Sequence, residues 1–393
     1  MTESAEVRDA SLGEIALVFL KLGTIAFGGP AAHLAMMEEE FVRRRRWITQ
    51  AEFLDRLATA NLIPGPSSTE VAIFVGQKKR GWQGLIVAGC CFIVPAAVIV
   101  TATAWAYVRF GSLPKVEGIL AAIKPAVVAI VIQALGKMGL TGLRTFPLAV
   151  IAVLAGTLSL LGVGPLLVLA LAGAVAAADL LMKRTMQNQL LGISVLSFLN
   201  PTRLSGIGGF ATALVATGAA FPVGLTRLFL SFLKIGSVVF GSGYVLLAFL
   251  QTEFVERLHW LTDKQLLDAV AVGQFTPGPL FTTATFIGYL VAGCWGALVA
   301  TMGIFLPGFV LVALSGPLIP RLRRSPAASA ALDGVVAGSL ALMAVVAIQL
   351  AKGSIVDWKT LAVFAVSLIA LLRFGVNSAW VVGAAAILGW WMG

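Results

Sequence analysis

The sequence contains few of the residues on which soluble enzymes and metalloproteins depend. Only 12% of its 393 residues are charged, and it has two histidines and three cysteines. Cys90, Cys91 and Cys294 lie within or beside apolar stretches at spacings that fit neither a metal site nor a disulfide framework, so we interpret them as packing residues. The sequence therefore predicts no metal site and no cofactor.

Acidic residues are also scarce, and the net charge is +10. This excess does not indicate a nucleic-acid-binding protein, because Lys and Arg lie in short segments between apolar runs, where they orient membrane proteins. The first residues carry Glu3, Glu6 and Glu14 against Arg8, which is the wrong charge for the start of a signal peptide. We expect neither a nucleic-acid partner nor a cleaved signal peptide.

Apolar residues make up 59% of the chain, and its mean hydropathy is +0.96. Many apolar runs are long enough for a helix, which rises ~1.5 Å per residue, to cross ~30 Å of hydrocarbon. The sequence therefore predicts an all-α integral membrane protein that crosses the cell inner membrane several times. About ten transmembrane helices are expected, near residues 12–35, 84–108, 116–138, 145–161, 164–182, 226–250, 294–315, 329–350, 358–372 and 375–392.

A segment near the start of the chain occurs again in its second half. Residues 19–66 align without a gap on residues 232–279, and both copies contain a Lys inside an apolar run and end in Pro-Gly-Pro. Such duplication in a membrane protein is typical of transporters built from two halves around a pseudo-two-fold axis, with the binding site between the halves. We predict a first repeat over residues 1–182, a linker over 183–225 and a second repeat over 226–393.

Each repeat is expected to contain a re-entrant helical hairpin, at about residues 49–77 and 262–288. Thr49 and Glu52 form the pattern of a capping box, which starts a helix, and Thr262 and Gln265 repeat that pattern. Each helix must end before its Pro-Gly-Pro, which leaves about 20 Å of helix, too little to cross the bilayer. A second short helix is expected near 67–76 and near 281–287. Pro-Gly-Pro is therefore placed at the tip of each hairpin.

The loop charges predict that the two halves are inverted relative to each other in the membrane. With about five crossings and one hairpin in each half, the basic segments 43–46 and 78–80 collect on one face, which the positive-inside rule makes cytoplasmic. The second-copy loop that matches residues 43–46 contains Glu256 and His259 instead of a run of arginines, as expected for a loop on the opposite face.

The tip of the first hairpin has the features of an anion-binding site. Pro66 suits the first position of a helix, where a missing N–H costs nothing. The backbone N–H groups of Ser67, Ser68 and Thr69 would then point into the space at the tip with the positive end of the helix dipole. Their hydroxyl groups add further donors. The sequence therefore predicts that the tip binds an anion.

Lys21 and Lys234 lie inside apolar helices, where an ammonium group is costly and usually faces a polar interior. Two ammonium groups opposed across the pseudo-two-fold axis, together with two helix N-termini, would neutralise a small dianion. The second tip offers Leu280 and Phe281 before Thr282, so we expect the first tip to dominate. The predicted substrate-binding residues are Lys21, Lys234, Gly28, Gly29, Pro64, Gly65, Pro66, Ser67, Ser68, Thr69, Pro277, Gly278, Pro279 and Thr282.

Titratable residues near the broken helices are candidates for ion coupling. His33 is one of only two histidines, and Glu70 lies one turn beyond the first tip. Asp55 lies in the first arm of the first hairpin. His33, Glu70 and Asp55 are therefore the predicted coupling residues.

Three groups of residues carry a resemblance to a known family: Phe-Gly-Gly-Pro followed by His at 27–33, Glu-Phe-Val followed by Trp at 40–47, and Pro-Gly-Pro in both halves. In this combination the chain resembles the chromate transporter family of bacteria and archaea in its long two-domain form. The resemblance implies export of chromate from the cytoplasm, driven by the proton motive force and giving chromate resistance. Leu246 replaces His33 in the second copy, so a role that needs His33 belongs to the first half.

Other functions remain open at this stage. The chain fits a general carrier of sulfate and related oxyanions, or a passive anion channel, because both would share the basic site and the duplication. A membrane enzyme acting on lipid-linked phosphates is a weaker alternative, since Ser67 and Ser68 have only His33 as a nearby base. We expect a transporter rather than an enzyme, with chromate, sulfate and the lipid bilayer as partners. The sequence leaves open whether the protein forms a homodimer.

Overall fold

The computed structural model describes residues 8–27, 29–60, 63–111, 113–190, 223–240 and 245–392. The regular secondary structure in these ranges is entirely helical. Most of the predicted linker, residues 191–222, lies outside them. Five helices are long and apolar enough to cross a membrane: Ser67–Phe110, Lys115–Leu140, Pro165–Lys183, Leu280–Ser315 and Pro326–Ser354. The all-α prediction is confirmed, and the larger number of crossings stays a prediction.

The described part of the first half contains seven helices, of which the second continues as a π-helical segment over Glu39–Arg44. They are α1 Leu12–Ile25, α2 Gly29–Glu38, α3 Gln50–Ala60, α4 Ser67–Phe110, α5 Pro114–Gly142, α6 Phe146–Leu160 and α7 Pro165–Leu190.

The second half repeats this order of elements. Its second helix also continues as a π-helical segment, Gln251–Arg257, and a single 3₁₀ turn, Leu280–Thr282, precedes its long kinked helix. The helices are α8 Val223–Val238, α9 Leu246–Leu250, α10 Asp263–Phe275, α11 Thr283–Arg324, α12 Pro326–Ser354, α13 Trp358–Arg373 and α14 Ser378–Met392.

The predicted spans 12–35 and 226–250 are not continuous helices, and this corrects the sequence-based boundaries. α1 ends at Ile25, and Ala26 is already extended. Gly29, with φ of 77°, begins α2. The following Pro30 explains the break, because the residue before a proline is pushed out of the helical region. In the second half α8 ends at Val238, and residues 241–244, which follow it, lie outside the described residues.

Both predicted capping boxes are present. The Thr49 hydroxyl accepts a hydrogen bond from the Glu52 backbone N–H at 3.2 Å, and the Glu52 carboxylate accepts one from the Thr49 N–H at 3.1 Å. Thr262 and Gln265 make the same reciprocal pair at the start of α10. Glu52 also pairs with Lys78. The hydrogen bond from Lys78 is the main cause, and that from the Thr49 backbone N–H the second, that lowers the pKa of the Glu52 carboxyl below its ordinary value. The first hairpin is therefore closed at its base by its own two arms.

α4 and α11 each reverse direction after the short arm that follows the tip. The backbone leaves helical geometry at Arg80-Gly81 in α4 and at Ala292-Gly293 in α11. A Cβ atom built on Gly84 would collide with the carbonyl oxygen of Gly76. Residues eight apart in a straight helix are separated by about 12 Å, so the chain must fold back here. The same contact joins Gly288 and Gly296 in α11.

The long helices pack in two groups. α1 packs against α4, α8 against α11, and α4 against α11. The second group is a bundle in which α12 contacts α5, α6 and α7, while α13 and α14 contact α5. Cys90 and Cys294, interpreted above as packing residues, are exposed on the surfaces of α4 and α11, so neither packs inside the protein. Both lie on apolar outer faces, where sequence hydrophobicity does not separate core from lipid contact.

Candidate functional site

The two Pro-Gly-Pro tips are joined to the opposite halves of the chain. The backbone N–H of Gly65 donates to the carbonyl oxygen of Val239 at 2.8 Å, and that of Gly278 donates to Ala26 at 2.9 Å. Gly65 has φ of 136° and Gly278 has φ of 91°, which is backbone geometry that favours glycine. Each tip therefore lies against the broken end of the other half's first helix.

Almost every residue of the two tips is enclosed by protein. Pro64 is half-buried, and Gly65 and Pro66 are buried. Pro277, Gly278 and Pro279 are all buried as well. Non-helical backbone at membrane depth is tolerated where protein encloses it, and both tips meet this condition. Gly29 starts α2 near the first tip, whereas Gly28 lies outside the described residues.

His33 connects α2 to the first tip. Its ring is buried, and its Nε2 lies 3.0 Å from the Ala26 carbonyl oxygen while its Nδ1 lies 3.4 Å from the Ser68 hydroxyl. A carbonyl oxygen only accepts hydrogen bonds, so Nε2 carries the proton and, in the neutral ring, Nδ1 accepts from Ser68. Ala26 thus accepts from both His33 and Gly278, which brings α1, α2 and the second tip to one oxygen atom.

The first tip contains buried polar atoms without a hydrogen-bond partner among the described residues. These are the Thr69 hydroxyl and both oxygens of the Glu70 carboxyl, whose residue is fully buried. The carboxyl lies directly beside Gly65, since a Cβ atom at Gly65 would collide with it. Buried polar groups are normally paired, so an unpaired hydroxyl and carboxyl at a helix N-terminus mark a place where a ligand or a proton belongs.

The backbone at this tip is less open than the sequence suggests. The Thr69 N–H donates to the Pro66 carbonyl oxygen at 2.8 Å, so it does not point freely into the tip, and that part of the prediction is wrong. The Glu70 N–H donates to the same oxygen at 3.1 Å. The physical reason is that Pro66 directly precedes the helix, so its carbonyl oxygen accepts the hydrogen bonds that close the first turn. The backbone N–H groups of Ser67 and Ser68 come before the two that bond to this oxygen.

The second tip uses its hydroxyl groups internally. Thr282 donates to the Pro279 carbonyl oxygen at 2.8 Å, and Thr283 donates to that of Leu280 at 2.8 Å. The side-chain nitrogen of Gln274, just before this tip, is buried without a partner among the described residues. The two tips are therefore chemically unequal.

Lys21 and Lys234 occupy different environments although they are matched in sequence. Lys234 lies 3.3 Å from the Glu253 carboxylate, which also accepts from Ser231 at 3.0 Å. Lys21 is exposed and lines a groove of about 340 Å³ between α1 and α2, together with Glu39 and Glu40. No carboxylate of the described residues lies within salt-bridge distance of Lys21, and none of the tip residues lines this groove.

Each half contains a buried glutamate in its π-helical segment. Glu40 is paired with Arg44 at 3.3 Å and with Arg45 at 2.7 Å. Burial acts to raise the pKa of Glu40, but the hydrogen bond from Arg45 and the charges of Arg44, Arg45 and Lys21 outweigh it and lower the pKa. Glu253 is paired in the same way with Arg257 at 3.0 Å. π-Helical segments recur at functional sites, and here one brings Glu253 beside Lys234 and the other brings Glu40 into the groove that Lys21 lines.

The two matched aspartates also differ. Asp55, predicted as a coupling residue, is exposed on α3. Asp268 on α10 is fully buried, and its carboxylate lies 2.9 Å from Lys124 Nζ and accepts a hydrogen bond from Tyr107 at 2.8 Å. Lys124 was missed in the sequence analysis. The signal was present, because Lys124 lies well inside an apolar span, as Lys21 does.

Comparison with known proteins gives a consistent result. The profile of the family described as "Chromate transporter" matches residues 13–178 and 226–390. The chain is 33% identical over 387 residues to "Chromate transport protein" of Cupriavidus metallidurans, covering 96% of this chain and 92% of that protein. It is 31% identical to "Probable chromate transport protein" of Synechococcus elongatus, covering 93% and 91%. It is 30% identical to "Chromate transport protein" of Pseudomonas aeruginosa, covering 85% and 80%. No solved structure matches the chain.

Proposed function

Since the chain belongs to the chromate transporter family, we propose that it exports chromate from the cytoplasm across the inner membrane by alternating access, driven by the proton motive force and giving chromate resistance. The family profile matches each half separately, and the five long apolar helices fit a multi-pass membrane protein. The relatives named as chromate transport proteins cover most of this chain, which supports chromate as the transported ion.

One observation carries the assignment of the site: the unpaired hydroxyl of Thr69 and carboxyl of Glu70 at the buried first tip. Here the Thr69 hydroxyl and the backbone N–H groups at the helix N-terminus, including that of Ser68, form the donor set that a tetrahedral oxyanion needs. An ionised Glu70 would repel a dianion, whereas a protonated carboxyl donates a hydrogen bond to it. Chromate binding is therefore linked to a proton on Glu70, with His33 as the titratable neighbour through Ser68.

Lys21 serves this site from the adjoining groove. Among the described residues it has no carboxylate within salt-bridge distance, while the matched Lys234 is paired with Glu253. An exposed cation raises the local concentration of anions, and Lys21 lies near the end of the helix that stops at Ile25, close to the Ala26 junction. The first half therefore supplies both the attracting charge and the binding donors.

Several matched contacts support two halves related by an inverted repeat. A Cβ atom at Gly23 would meet the Phe92 carbonyl oxygen, and one at Gly236 would meet that of Ile304. The chain also turns through left-handed geometry after each π-helical segment, at Arg46 and at His259. These positions correspond in the aligned copies. Together with the reciprocal bonds of the tips, they favour one architecture used twice.

The membrane potential is the component of the proton motive force that favours export. A potential that is negative inside is worth about 2.3 kcal/mol per elementary charge per 100 mV, so it drives a dianion outward. A proton carried on Glu70 would remove one of the two charges and leave a net driving force. A coupled carrier would therefore respond to the potential and, through Glu70, to pH.

Two alternatives are weaker. Sulfate has the same charge and shape as chromate, so a general oxyanion carrier differs only in selectivity. An enzyme would need an activated nucleophile, and Ser68 does contact His33. However, both are buried, and the second nitrogen of His33 donates to a backbone carbonyl rather than to a carboxylate. The relatives are named as transporters, which favours transport.

The test is uptake of labelled chromate into inside-out vesicles that contain the protein. Potential and pH gradient are collapsed separately with valinomycin plus potassium and with nigericin, and excess sulfate is added in a third sample. Uptake that falls with the potential and resists sulfate is expected. Uptake that equilibrates without a gradient would indicate a channel, and uptake abolished by sulfate would indicate a general oxyanion carrier.

A further inference from the structure

We propose that Lys124, Asp268 and Tyr107 form a latch that closes the second hairpin against the first half of the chain, and that transport requires this latch to open. The proposal rests on the proposed function, because it describes a step of the same transport cycle. Asp268 lies on α10 of the second hairpin, whereas Tyr107 and Lys124 lie on α4 and α5 of the first half. The triad therefore crosses the boundary between the two halves.

The latch extends along one face of each helix. Lys264 and Asp268 are four residues apart and lie on one face of α10, and Glu117 and Lys124 are seven apart and lie on one face of α5. Lys264 Nζ lies 3.1 Å from Glu117 Oε1, and Lys124 Nζ lies 2.9 Å from Asp268 Oδ1. Two ion pairs thus join the same two helices, an exposed one and a buried one.

The residues of the first hairpin that match those of the latch differ from them in type or in exposure. Asp55 matches Asp268 and is exposed, and Ala51 takes the place of Lys264. The helix that corresponds to α5 is α12, since both begin at a proline and have the same length. α12 carries Ser329 and Val336 at the positions where α5 carries Glu117 and Lys124.

The two hairpin helices, α10 and α3, also differ in how they pack. α10 packs against α4, α5, α11, α12 and α14, and its residues 266–274 are all buried. α3 packs mainly against α4, and its outer face, including Leu54 and Asp55, is exposed. The first half is thus open beside its hairpin, while the second hairpin is closed against α5.

This inequality identifies the movement that transport needs. When two inverted halves build a transporter, exchanging their conformations converts one access state into the other. The exchange would release α10 from α5 and bring the exposed face of α3 onto α12. The contacts of the latch must therefore break in every cycle. Separating the buried Lys124–Asp268 pair is costly, so Asp268 acts as a positioning residue that sets how readily the hairpin moves.

The test joins α5 to α10 without touching the triad. In a background with Cys90, Cys91 and Cys294 replaced by Ala, Glu117→Cys and Lys264→Cys are cross-linked with a cleavable bifunctional thiol reagent. Both native side chains are more than half exposed, so the reagent can reach them. The matched control is Glu52→Cys with Lys78→Cys, because that pair joins two arms of one hairpin.

Cross-linking residues 117 and 264 is expected to reduce chromate uptake at least about tenfold, and cleavage of the linker should restore it, whereas the control keeps its activity. Full uptake with residues 117 and 264 joined would overturn the proposal. So would a failure of these residues to cross-link, since they would then not meet in the membrane.

A readout that does not involve chromate separates this proposal from the proposed function. Asp55→Cys is labelled with a maleimide in the same background. If α3 docks onto α12 in the other state, residue 55 should be protected from the maleimide in part of the unlinked protein. It should be fully labelled once residues 117 and 264 are joined. Equal labelling of both preparations contradicts the latch, even if the protein carries an anion other than chromate.

Discussion

Gly278 donates its backbone N–H to the carbonyl oxygen of Ala26 at 2.9 Å, and this bond joins the second hairpin tip to the broken end of α1. The contact requires glycine, because φ at Gly278 is 91° and a Cβ atom there would collide with Ala96. The second tip is thus joined to α1 by a backbone hydrogen bond.

Gly278→Ala should abolish transport and lower the melting temperature in detergent, because it combines left-handed backbone strain with a collision. Gly293→Ala is the matched control. Gly293 also has positive φ, 59°, but open space surrounds its Cβ position. The control should lose about 1–3 kcal/mol of stability from backbone strain alone. Equal melting temperatures for the two variants would show that the collision at Gly278 is unimportant.

Glu70→Gln should transport chromate with a flatter pH profile than the wild type. Gln resembles the protonated carboxyl in shape and donates a hydrogen bond, but it cannot ionise. Wild-type uptake is expected to fall as pH rises, because an ionised Glu70 repels the dianion. Measuring both proteins in parallel corrects for the protonation of chromate itself. Identical pH profiles for the two proteins would remove Glu70 from the coupling step.

Thr69→Val should raise the KM for chromate without reducing the amount of folded protein. The Thr69 hydroxyl has no partner among the described residues, so its loss should not cost stability. Thr282→Val is the control, since its hydroxyl is bonded to the Pro279 carbonyl oxygen. The control should lower stability by about 1 kcal/mol and leave KM nearly unchanged. A larger KM effect at Thr282 would assign the dominant tip to the second half.

Lys21→Ala should reduce uptake about tenfold to a hundredfold at low chromate, as expected for the loss of a charge that raises the local concentration of the anion, while the protein stays folded. Lys21→Arg tests whether charge alone is sufficient. Lys234→Ala should have a smaller effect on uptake, because Lys234 is already neutralised by Glu253. Undiminished uptake by Lys21→Ala would remove Lys21 from the site.

Asp268→Leu and Lys124→Met should each destabilise the protein by about 3–5 kcal/mol, because each leaves a buried group without its charged partner. The double variant Asp268→Leu with Lys124→Met should recover much of that stability, since an apolar pair replaces an ion pair at little cost. Its turnover should differ from the wild type at similar KM if the latch controls movement. Additive losses in the melting temperature would show that the two residues do not interact.

Local sequence signals determined the local structure. The capping boxes at Thr49 and Thr262 started helices where expected, and proline and glycine located the tips, because these signals act over a few residues. The sequence did not show that a hydroxyl and a carboxyl would lie unpaired at one tip while the hydroxyls of the other are bonded internally. That difference depends on how each tip packs.

The amino-acid sequence by itself determined a duplicated, apolar, helical chain with Pro-Gly-Pro breaks, because composition and periodicity set membrane insertion and helix limits. Only the tertiary structure decided which matched residues differ in role. It exposed Asp55 and buried Asp268, and among the described residues it paired Lys234 with a carboxylate but placed none within salt-bridge distance of Lys21. The reason is that equivalent sequences acquire different neighbours when the surrounding helix bundle packs against one hairpin and not the other.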